Sequence, residues 1–218
     1  MKKNLTELVF ILDKSGSMHG LENDTIGGFN SMLEKQKELD GSCVITTVLF
    51  DTYYQLLHDR IDIRAVSPIT EKEYTVGGCT ALLDAMGKTI EKIAAVQKNT
   101  AEDYRAEKVM FVIITDGMEN ASRFYNVSQV KEMVNLQKEK YGWEFIFLGA
   151  NMDAVETAGR FGIGADRAVD YVPDKQGTKL NYETISDTVS EYRACGIVSQ
   201  NHLNKIRRDK ERRDRKKW

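Results

Sequence analysis

Three oxygen-bearing side chains follow the first long apolar run of the chain. Residues 8–12, Leu-Val-Phe-Ile-Leu, have no polar interruption, which is typical of a strand buried on both faces of a parallel sheet. The run ends in Asp13, Ser15 and Ser17, and in an open α/β sheet ligands bind at the carboxyl ends of the strands. One carboxylate and two hydroxyls suit a small hard cation such as magnesium. Asp and Ser are also favoured helix N-caps, so a purely structural role stays open at this point.

A second apolar run also ends in an acid. Residues 109–114 repeat the pattern of a fully buried strand, and the run stops at Thr115, Asp116 and Gly117. Thr-Asp-Gly is also a common turn sequence, and Thr80 stands where it could cap the helix that follows. Taken singly, each of these pieces has an ordinary structural explanation.

The order of the remaining elements sets the fold class. Strands are predicted at residues 8–12, 43–50, 53–58, 109–114, 145–148 and 168–172. Helices are predicted at residues 22–39, 81–98, from Val127 onward, 153–161 and 178–194. The second and third strands are too close for a crossover helix, so they should form an antiparallel hairpin at one edge. This alternation predicts a doubly wound α/β domain with a mainly parallel sheet and one antiparallel edge strand.

The charge is distributed unevenly along the 218 residues. The chain is 41% hydrophobic and 29% charged, as in globular proteins, with a net charge of -2. Nine of the 31 basic residues but only three of the 33 acidic residues lie in 205–218, so the rest of the chain is acidic. We therefore divide the chain into a domain at 1–173, a closing helix at 174–196 that packs on or extends the domain, and a basic tail at 197–218.

The cysteines and the hydrophobic segments indicate a location. Cys43, Cys79 and Cys195 are odd in number and widely spaced, which fits neither a disulfide framework nor a zinc site. A reducing compartment fits best. The apolar run near the start is too short for a signal peptide, and no segment has the length of a membrane span. We expect a cytoplasmic protein without membrane contact.

Three separate segments together resemble a known site. The sequence Asp13-Lys14-Ser15-Gly16-Ser17, the Thr80 of Gly-Gly-Cys-Thr-Ala-Leu-Leu-Asp-Ala, and the Asp116 of Ile-Thr-Asp-Gly resemble the three parts of the metal-ion-dependent adhesion site of von Willebrand factor A-type (VWA) domains. The resemblance covers roughly residues 7–172. Through residues 24–30 and 148–153 the chain looks most like the small stand-alone bacterial and phage members, whose roles are poorly defined.

The resemblance implies a Rossmann-like VWA fold and a role for each site residue. Ser15 and Ser17 would bind Mg²⁺ or Mn²⁺ directly, and Thr80 would join them in the ligand-ready state. Asp13 and Asp116 would act mainly through bound water, as outer acceptors that orient hydroxyls and water. A set of neutral oxygens would leave an open coordination position for an anionic oxygen, typically a carboxylate from a partner protein.

Two neighbours of Thr80 and the basic tail carry further expectations. Asp84 could support the site, although a solvated helix position is the simpler interpretation, and Cys79 is expected to be a small buried side chain. The tail is interpreted as a solvated or partner-facing helix. A contact with nucleic acid is the alternative, weakened because the tail has no aromatic residue before Trp218.

Two functional hypotheses of different class remain. The first is a non-enzymatic, cation-dependent protein-binding module, a scaffold or adaptor that binds an Asp or Glu of a partner. Family members often work with larger assemblies such as ring ATPases, so a ring ATPase is one candidate partner. The second is a magnesium-dependent hydrolase of phosphate esters. The sequence has no evident nucleophile and base pair, no phosphate-binding loop and no dinucleotide fingerprint, which favours binding.

Overall fold

A six-stranded sheet forms the centre of the protein. The computed structural model describes residues 1–215; Lys216, Lys217 and Trp218 of the predicted tail lie outside the described residues. The strands are β1 (Lys2–Asp13), β2 (Ser42–Phe50), β3 (Tyr54–Asp62), β4 (Ala106–Thr115), β5 (Glu144–Gly149) and β6 (Ala168–Asp170). The helices are α1 (Glu22–Lys37), α2 (Leu82–Asn99), α3 (Val127–Tyr141), α4 (Ala154–Arg160), α5 (Lys175–Cys195) and α6 (Asn204–Arg215).

The strand order in the sheet is β3-β2-β1-β4-β5-β6. All neighbours pair in parallel except β2 and β3, which form the antiparallel hairpin at one edge. The predicted doubly wound fold with one antiparallel edge strand is therefore confirmed. The hairpin strand β3 extends four residues beyond the predicted end at His58, because a charged edge strand lacks the apolar pattern that marks a buried one.

The alternation of side chains along β1 divides the core into two layers. Leu8, Phe10 and Leu12 face one side of the sheet, where they pack with α1 and α5. Val9 and Ile11 face the other side, where they pack with α2, α3 and α4. Both layers are fully buried, so the central strand has no polar face. This explains why its sequence reads as an uninterrupted apolar run.

The connections diverge at the carboxyl ends of β1 and β4. The chain leaves β1 through α1 on one face and leaves β4 through α3 on the other, while the two strands pair side by side. Such a divergence opens a crevice above the strand ends. Asp13 is the last residue of β1, and Asp116 directly follows the last residue of β4, so both carboxylates lie at this crevice.

The basic tail folds back onto the domain. Leu203 and Ile206 are buried in the same core layer as α1 and α5. The guanidinium of Arg207 donates to the carbonyl oxygens of Ala165 (2.9 Å) and Ala168 (3.0 Å), beside the edge strand β6. Helix α6 is thus present as predicted, but it is not simply solvated, because an apolar pair and a carbonyl-binding arginine attach it to the body. Within residues 1–215, no helix combines the length and apolar character that crossing a bilayer requires.

Candidate metal-binding site

Asp13 is the innermost residue of the site and is held on both carboxylate oxygens. It is buried, its Oδ1 accepts from the backbone N–H of Ser15 (2.6 Å), and its Oδ2 accepts from the Thr115 hydroxyl (2.6 Å). Burial raises the pKa of Asp13, and the hydrogen bonds from Thr115 and Ser15 partly offset that rise. The Tyr74 hydroxyl donates to the backbone carbonyl of Asp13 at 2.5 Å. The carboxylate therefore has a fixed orientation at the end of β1.

Three hydroxyls meet above Asp13. The Oγ atoms of Ser15 and Ser17 lie 3.0 Å apart, and the Thr80 hydroxyl donates to Ser15 Oγ at 3.1 Å. Ser15 and Thr80 are buried, whereas Ser17 is exposed and opens the cluster to solvent. The structure thus brings Thr80 to the two serines, although Thr80 lies 65 positions after Ser15 in the sequence.

Thr80 reaches the cluster because two loops are joined by backbone and amide hydrogen bonds. The N–H of Thr80 donates to Asn120 Oδ1 (2.9 Å), and the Asn120 N–H donates back to the Thr80 carbonyl (3.0 Å). On the other side, the N–H of Gly16 donates to the carbonyl of Gly78 at 3.1 Å. These contacts place the Thr80 segment between the loops that follow β1 and β4.

Asp116 completes the set from the neighbouring strand. It is buried, and Asn151, directly after β5, donates from its amide Nδ2 to Asp116 Oδ1. Burial, reinforced by the charge of Asp13 and partly offset by the Asn151 hydrogen bond, raises the pKa of Asp116 to about 6. Asn151 itself has a backbone φ of 55°, in the left-handed region that Asn tolerates better than most residues.

Gly117 leaves room at the point where the hydroxyls converge. A Cβ atom at this residue would lie 2.7 Å from Thr80 Oγ1, 2.9 Å from Ser17 Oγ and 3.6 Å from Ser15 Oγ. All three hydroxyls are therefore directed around one small space that a larger residue would fill. Neutral hydroxyl oxygens backed by two carboxylates are hard donors that fit Mg²⁺ or Mn²⁺. Residues 1–215 contain no cluster of three or more His, Cys, Asp or Glu side chains that could hold a metal.

Two expectations about the neighbours of Thr80 were wrong. Asp84 is not a solvated position, because its carboxylate accepts the backbone N–H groups of Arg123, Phe124 and Tyr125, each at 2.9 Å. Cys79 is exposed rather than buried. Both differences arise because loops distant in sequence decide which side of the Thr80 segment is covered.

Sequence reasoning also missed four residues that support the site. Thr115, Tyr74, Asn120 and Asn151 each bind one of the five predicted residues through a hydrogen bond. Asn151 carried a usable signal, because it follows a buried strand just as Asp13 and Asp116 do. Thr115 also stands at the end of a buried strand, whereas Tyr74 and Asn120 have no distinguishing pattern in the sequence.

Comparisons with known proteins place the fold. No family model matches the chain, and no curated protein matches its sequence. Among solved structures, the chain is similar to a D319A mutant of the PilB minor pilin from Streptococcus sanguinis, with a TM-score of 0.60 at 11% identity over 86% of this chain and 62% of that one. It is also similar to a von Willebrand factor type A protein from Catenulispora acidiphila, with a TM-score of 0.58 at 13% identity over 85% of this chain and 42% of that one.

A third solved structure is the manganese-loaded TRAP protein of Plasmodium vivax. Its TM-score is 0.50 at 22% identity, over 68% of this chain and 58% of that one. The chain thus spans between 42% and 62% of the length of these three solved chains. At such identities the likeness concerns the fold, and the fold of this protein is the α/β, Rossmann-like fold of VWA domains.

Proposed function

We propose that this protein is a divalent-cation-dependent protein-binding module. Asp13, Ser15, Ser17, Thr80 and Asp116 hold Mg²⁺ or Mn²⁺ in this proposal. The observation that carries it is the convergence of three hydroxyls around Gly117, with two buried carboxylates behind them. An ion bound there would supply a Lewis-acidic position open to an anionic oxygen.

The donor set supports Mg²⁺ or Mn²⁺ in preference to Ca²⁺. Calcium sites gather six to eight oxygens and usually more acidic charge, whereas magnesium keeps several of its waters. Here only two carboxylates are present, and both are engaged by neighbouring donors, Asp13 by Thr115 and Asp116 by Asn151. Manganese is included because it prefers the same hard ligands. The TRAP structure that this fold resembles was solved with manganese, which makes it a second ion to test.

The partner in this proposal presents an Asp or Glu. Three neutral hydroxyls leave positive charge unbalanced on the open side of the site, where the exposed Ser17 lies. The cation nearest in sequence, Lys14, is already paired with Asp51 (2.9 Å), so it does not compete for the partner's carboxylate. A ring ATPase or another multi-subunit assembly is the class of partner that we propose, with this protein as scaffold or adaptor.

Binding is favoured over hydrolysis of phosphate esters. The closest hydrogen-bond partners of the Ser15 hydroxyl are the hydroxyls of Ser17 and Thr80 rather than a histidine or lysine base. The His19 side chain is 86% exposed, and its Nδ1 lies 3.1 Å from a carboxylate oxygen of Glu22 at the start of α1. We propose a cytoplasmic location, since Cys43, Cys79 and Cys195 are all free and the fold draws no stability from a disulfide among them.

Calorimetric titration tests the metal site first. The wild type should bind one Mg²⁺ or Mn²⁺ more tightly than Ca²⁺, and Ser15→Ala should weaken binding by roughly tenfold or more because it removes a direct ligand. Ser128→Ala is the matched control, since Ser128 is an exposed hydroxyl at the start of α3 and should leave the affinity unchanged. Tighter binding of Ca²⁺, or equal binding by the wild type and Ser15→Ala, would contradict the site.

Affinity capture then tests the function. Wild-type protein and Asp13→Ala are immobilised, and native lysate is passed over both with Mg²⁺ or with EDTA. The proposal expects a protein retained only by the wild type and only with Mg²⁺, and lost when its acidic residue is changed to the amide. If EDTA does not release the retained protein, the metal is not part of the interface. Magnesium-dependent release of phosphate from p-nitrophenyl phosphate, lost in Asp13→Ala, would favour the hydrolase instead.

A further inference from the structure

Three large apolar side chains stand exposed beside the candidate metal site. Tyr53 is 78% exposed, Met118 is 67% exposed and Phe124 is 81% exposed. Tyr53 lies in the turn between β2 and β3, and the other two lie in the loop that follows Asp116. We call these three residues the apolar rim.

The strand order places Tyr53 and Met118 of the apolar rim on opposite sides of the site. The carboxyl ends of β2, β1 and β4 lie side by side in that order. Tyr53 follows β2, Met118 follows β4, and the Asp13 segment lies between them at the end of β1. Neighbouring strands are about 4.8 Å apart, so the two sides of the rim are separated by roughly 10 Å at the level of the strand ends.

The loop that carries Met118 and Phe124 is held rigidly. Glu119 accepts the backbone N–H groups of Leu83, Ala121 and Ser122 at 2.8 to 3.0 Å. Asp84 accepts three further backbone N–H groups of the same loop, one of them that of Phe124. Since α2 supplies both Leu83 and Asp84, the loop is attached to a helix at several points.

The turn that carries Tyr53 is held in the same way. The N–H of Tyr53 donates to Asp51 Oδ1 (2.6 Å), and the N–H of Asp51 donates to the Tyr53 carbonyl (3.1 Å). The Asp51 carboxylate is fixed in turn by Lys14, and its backbone carbonyl accepts the N–H of Ala81 (2.9 Å). The apolar rim is therefore presented by two preorganised loops.

A single exposed apolar side chain is common on protein surfaces and needs no explanation. Here, however, three such side chains are exposed on fixed loops around one polar site. A flexible loop could turn a phenyl ring toward the core, whereas the backbone N–H of Phe124 is bonded to the Asp84 carboxylate, which holds this part of the loop in place. Interfaces gain most from large, rigid side chains because ordering them on binding costs little. The rim thus has the properties of a preformed contact surface.

We infer that the partner segment is an extended peptide in which an Asp or Glu is flanked on both sides by large apolar side chains. This inference rests on the proposed function, because the acidic residue is the group that would meet the cation. The flanking side chains would cover Tyr53 on one side and Met118 with Phe124 on the other. A residue and its third neighbour along an extended chain are about 10 Å apart, which matches the separation of the two sides. In this inference the metal binds the carboxylate of the peptide, and the apolar rim binds the side chains on either side of that acidic residue.

Selection from a random linear peptide library tests the inference. Wild-type protein is immobilised in buffer with Mg²⁺, and bound peptides are eluted with EDTA. The expected result is enrichment of Asp or Glu with Phe, Tyr, Trp, Leu, Ile or Met within two positions on each side. Enriched acidic peptides without an apolar preference would overturn the rim while leaving the proposed function intact. Failure to recover any EDTA-eluted peptide would count against both.

Variants on two surfaces distinguish specific binding by the apolar rim from non-specific hydrophobic binding. The double variant with Tyr53→Ser and Phe124→Ser should keep the Mg²⁺ affinity that calorimetry measures for the wild type. It should bind a selected peptide roughly tenfold or more weakly, as expected for the loss of two buried aromatic contacts. The matched control is Leu136→Ser with Tyr141→Ser, because these residues are 51% and 56% exposed and line a cavity near the amino ends of β1, β4 and β5, away from the candidate site. An equal loss of peptide affinity in both double variants would overturn the inference. An unchanged peptide affinity in the rim variant would also overturn it. A selected peptide in which the Asp or Glu is changed to Asn or Gln should bind neither the wild type nor the rim variant detectably.

Discussion

Asp116 is the residue at which metal affinity and stability should oppose each other. Burial raises the pKa of Asp116 to about 6, from an ordinary value of 3.8, so the folded state holds the proton more tightly than the unfolded state. The contribution of the protonated Asp116 carboxyl to the stability of the fold is therefore present at low pH. It is lost as the pH rises from about 4 through 6 and the buried group ionises. In EDTA at pH 8, Asp116→Asn should be more stable than the wild type by up to about 3 kcal/mol.

Urea denaturation of both proteins in EDTA between pH 4 and pH 8 measures this difference. The advantage of Asp116→Asn should be constant above pH 7 and should shrink as the pH falls from 6 toward 4. Addition of Mg²⁺ at pH 8 should stabilise the wild type and not the variant. A wild type that is the more stable protein in EDTA at pH 8 would contradict the assignment of Asp116 as a destabilising buried charge.

Asn151 is expected to orient Asp116 rather than to bind metal itself. Its amide donates to Asp116 Oδ1, and its backbone has a φ of 55° that glycine adopts without strain. Asn151→Gly therefore removes the donor while keeping the backbone conformation, and Mg²⁺ affinity should fall roughly tenfold, as for other partners of site carboxylates. Calorimetry measures the affinity, and thermal melting in EDTA checks that the fold is retained. Unchanged Mg²⁺ affinity would show that Asp116 needs no such support.

At the scale of elements, Asp84 joins the start of α2 to the loop between β4 and α3. Its carboxylate accepts three backbone N–H groups, which have no other acceptor among the described residues. Asp84→Ala should cost roughly 2–3 kcal/mol of stability, since hydrogen bonds to a charged acceptor are stronger than neutral ones. It should also accelerate amide hydrogen exchange at Arg123, Phe124 and Tyr125. Unchanged exchange at these three amides would show that the loop is held by other contacts.

Helix α6 offers a matched pair of arginines. Arg207 donates to three backbone carbonyls of the segment 165–168, whereas Arg208 is exposed and makes no such bond within residues 1–215. Arg207→Ser should therefore lower the free energy of unfolding by about 1–3 kcal/mol, and Arg208→Ser should change it by less than about 0.5 kcal/mol. Chemical denaturation measures both. Equal effects would mean that the carbonyl contacts of Arg207 do not attach the helix.

Much of the tail's positive charge is used within the molecule. Besides Arg207, Lys205 pairs with Asp187, Arg213 with Asp174, and Arg212 with Asp209. These pairs leave less free charge for a polyanion than the sequence composition indicates. The nucleic-acid alternative therefore depends on the exposed Arg208 and Arg215 and on the three residues that follow.

At the scale of the whole molecule, the metal site lies above a core that does not need it. Two mainly apolar layers cover the faces of the central sheet, and burial of that apolar surface dominates stability. The protein should therefore remain cooperatively folded in EDTA at 25 °C. Mg²⁺ at about 100 times its Kd should stabilise the protein by about 2.7 kcal/mol and raise the melting temperature by roughly 5–10 °C. Unfolding in EDTA at 25 °C would show that the ion is structural.

The sequence by itself determined the order of the elements and several of their ends. The apolar runs at residues 8–12 and 109–114 are the central strands β1 and β4. Asn126 and Gln129 have the spacing of a helix capping pair in the sequence, and they form a reciprocal capping box at the start of α3. Gly196 follows α5 with a left-handed φ of 73°. These features depend on residues a few positions apart, and short-range patterns specify them.

Only the tertiary structure decided which distant groups meet. It placed Asn151 on Asp116, Thr115 on Asp13, and Asp84 on the loop after Asp116, and each of these pairs joins segments 35 or more positions apart. It also attached the basic tail to the body through the buried Leu203 and Ile206. Contacts of this kind depend on how the helices and strands pack rather than on local periodicity, because a polar residue in a loop carries no pattern that names its partner. The sequence could therefore indicate the hydroxyls and carboxylates of the site, while the groups that hold them in place emerged from the packing.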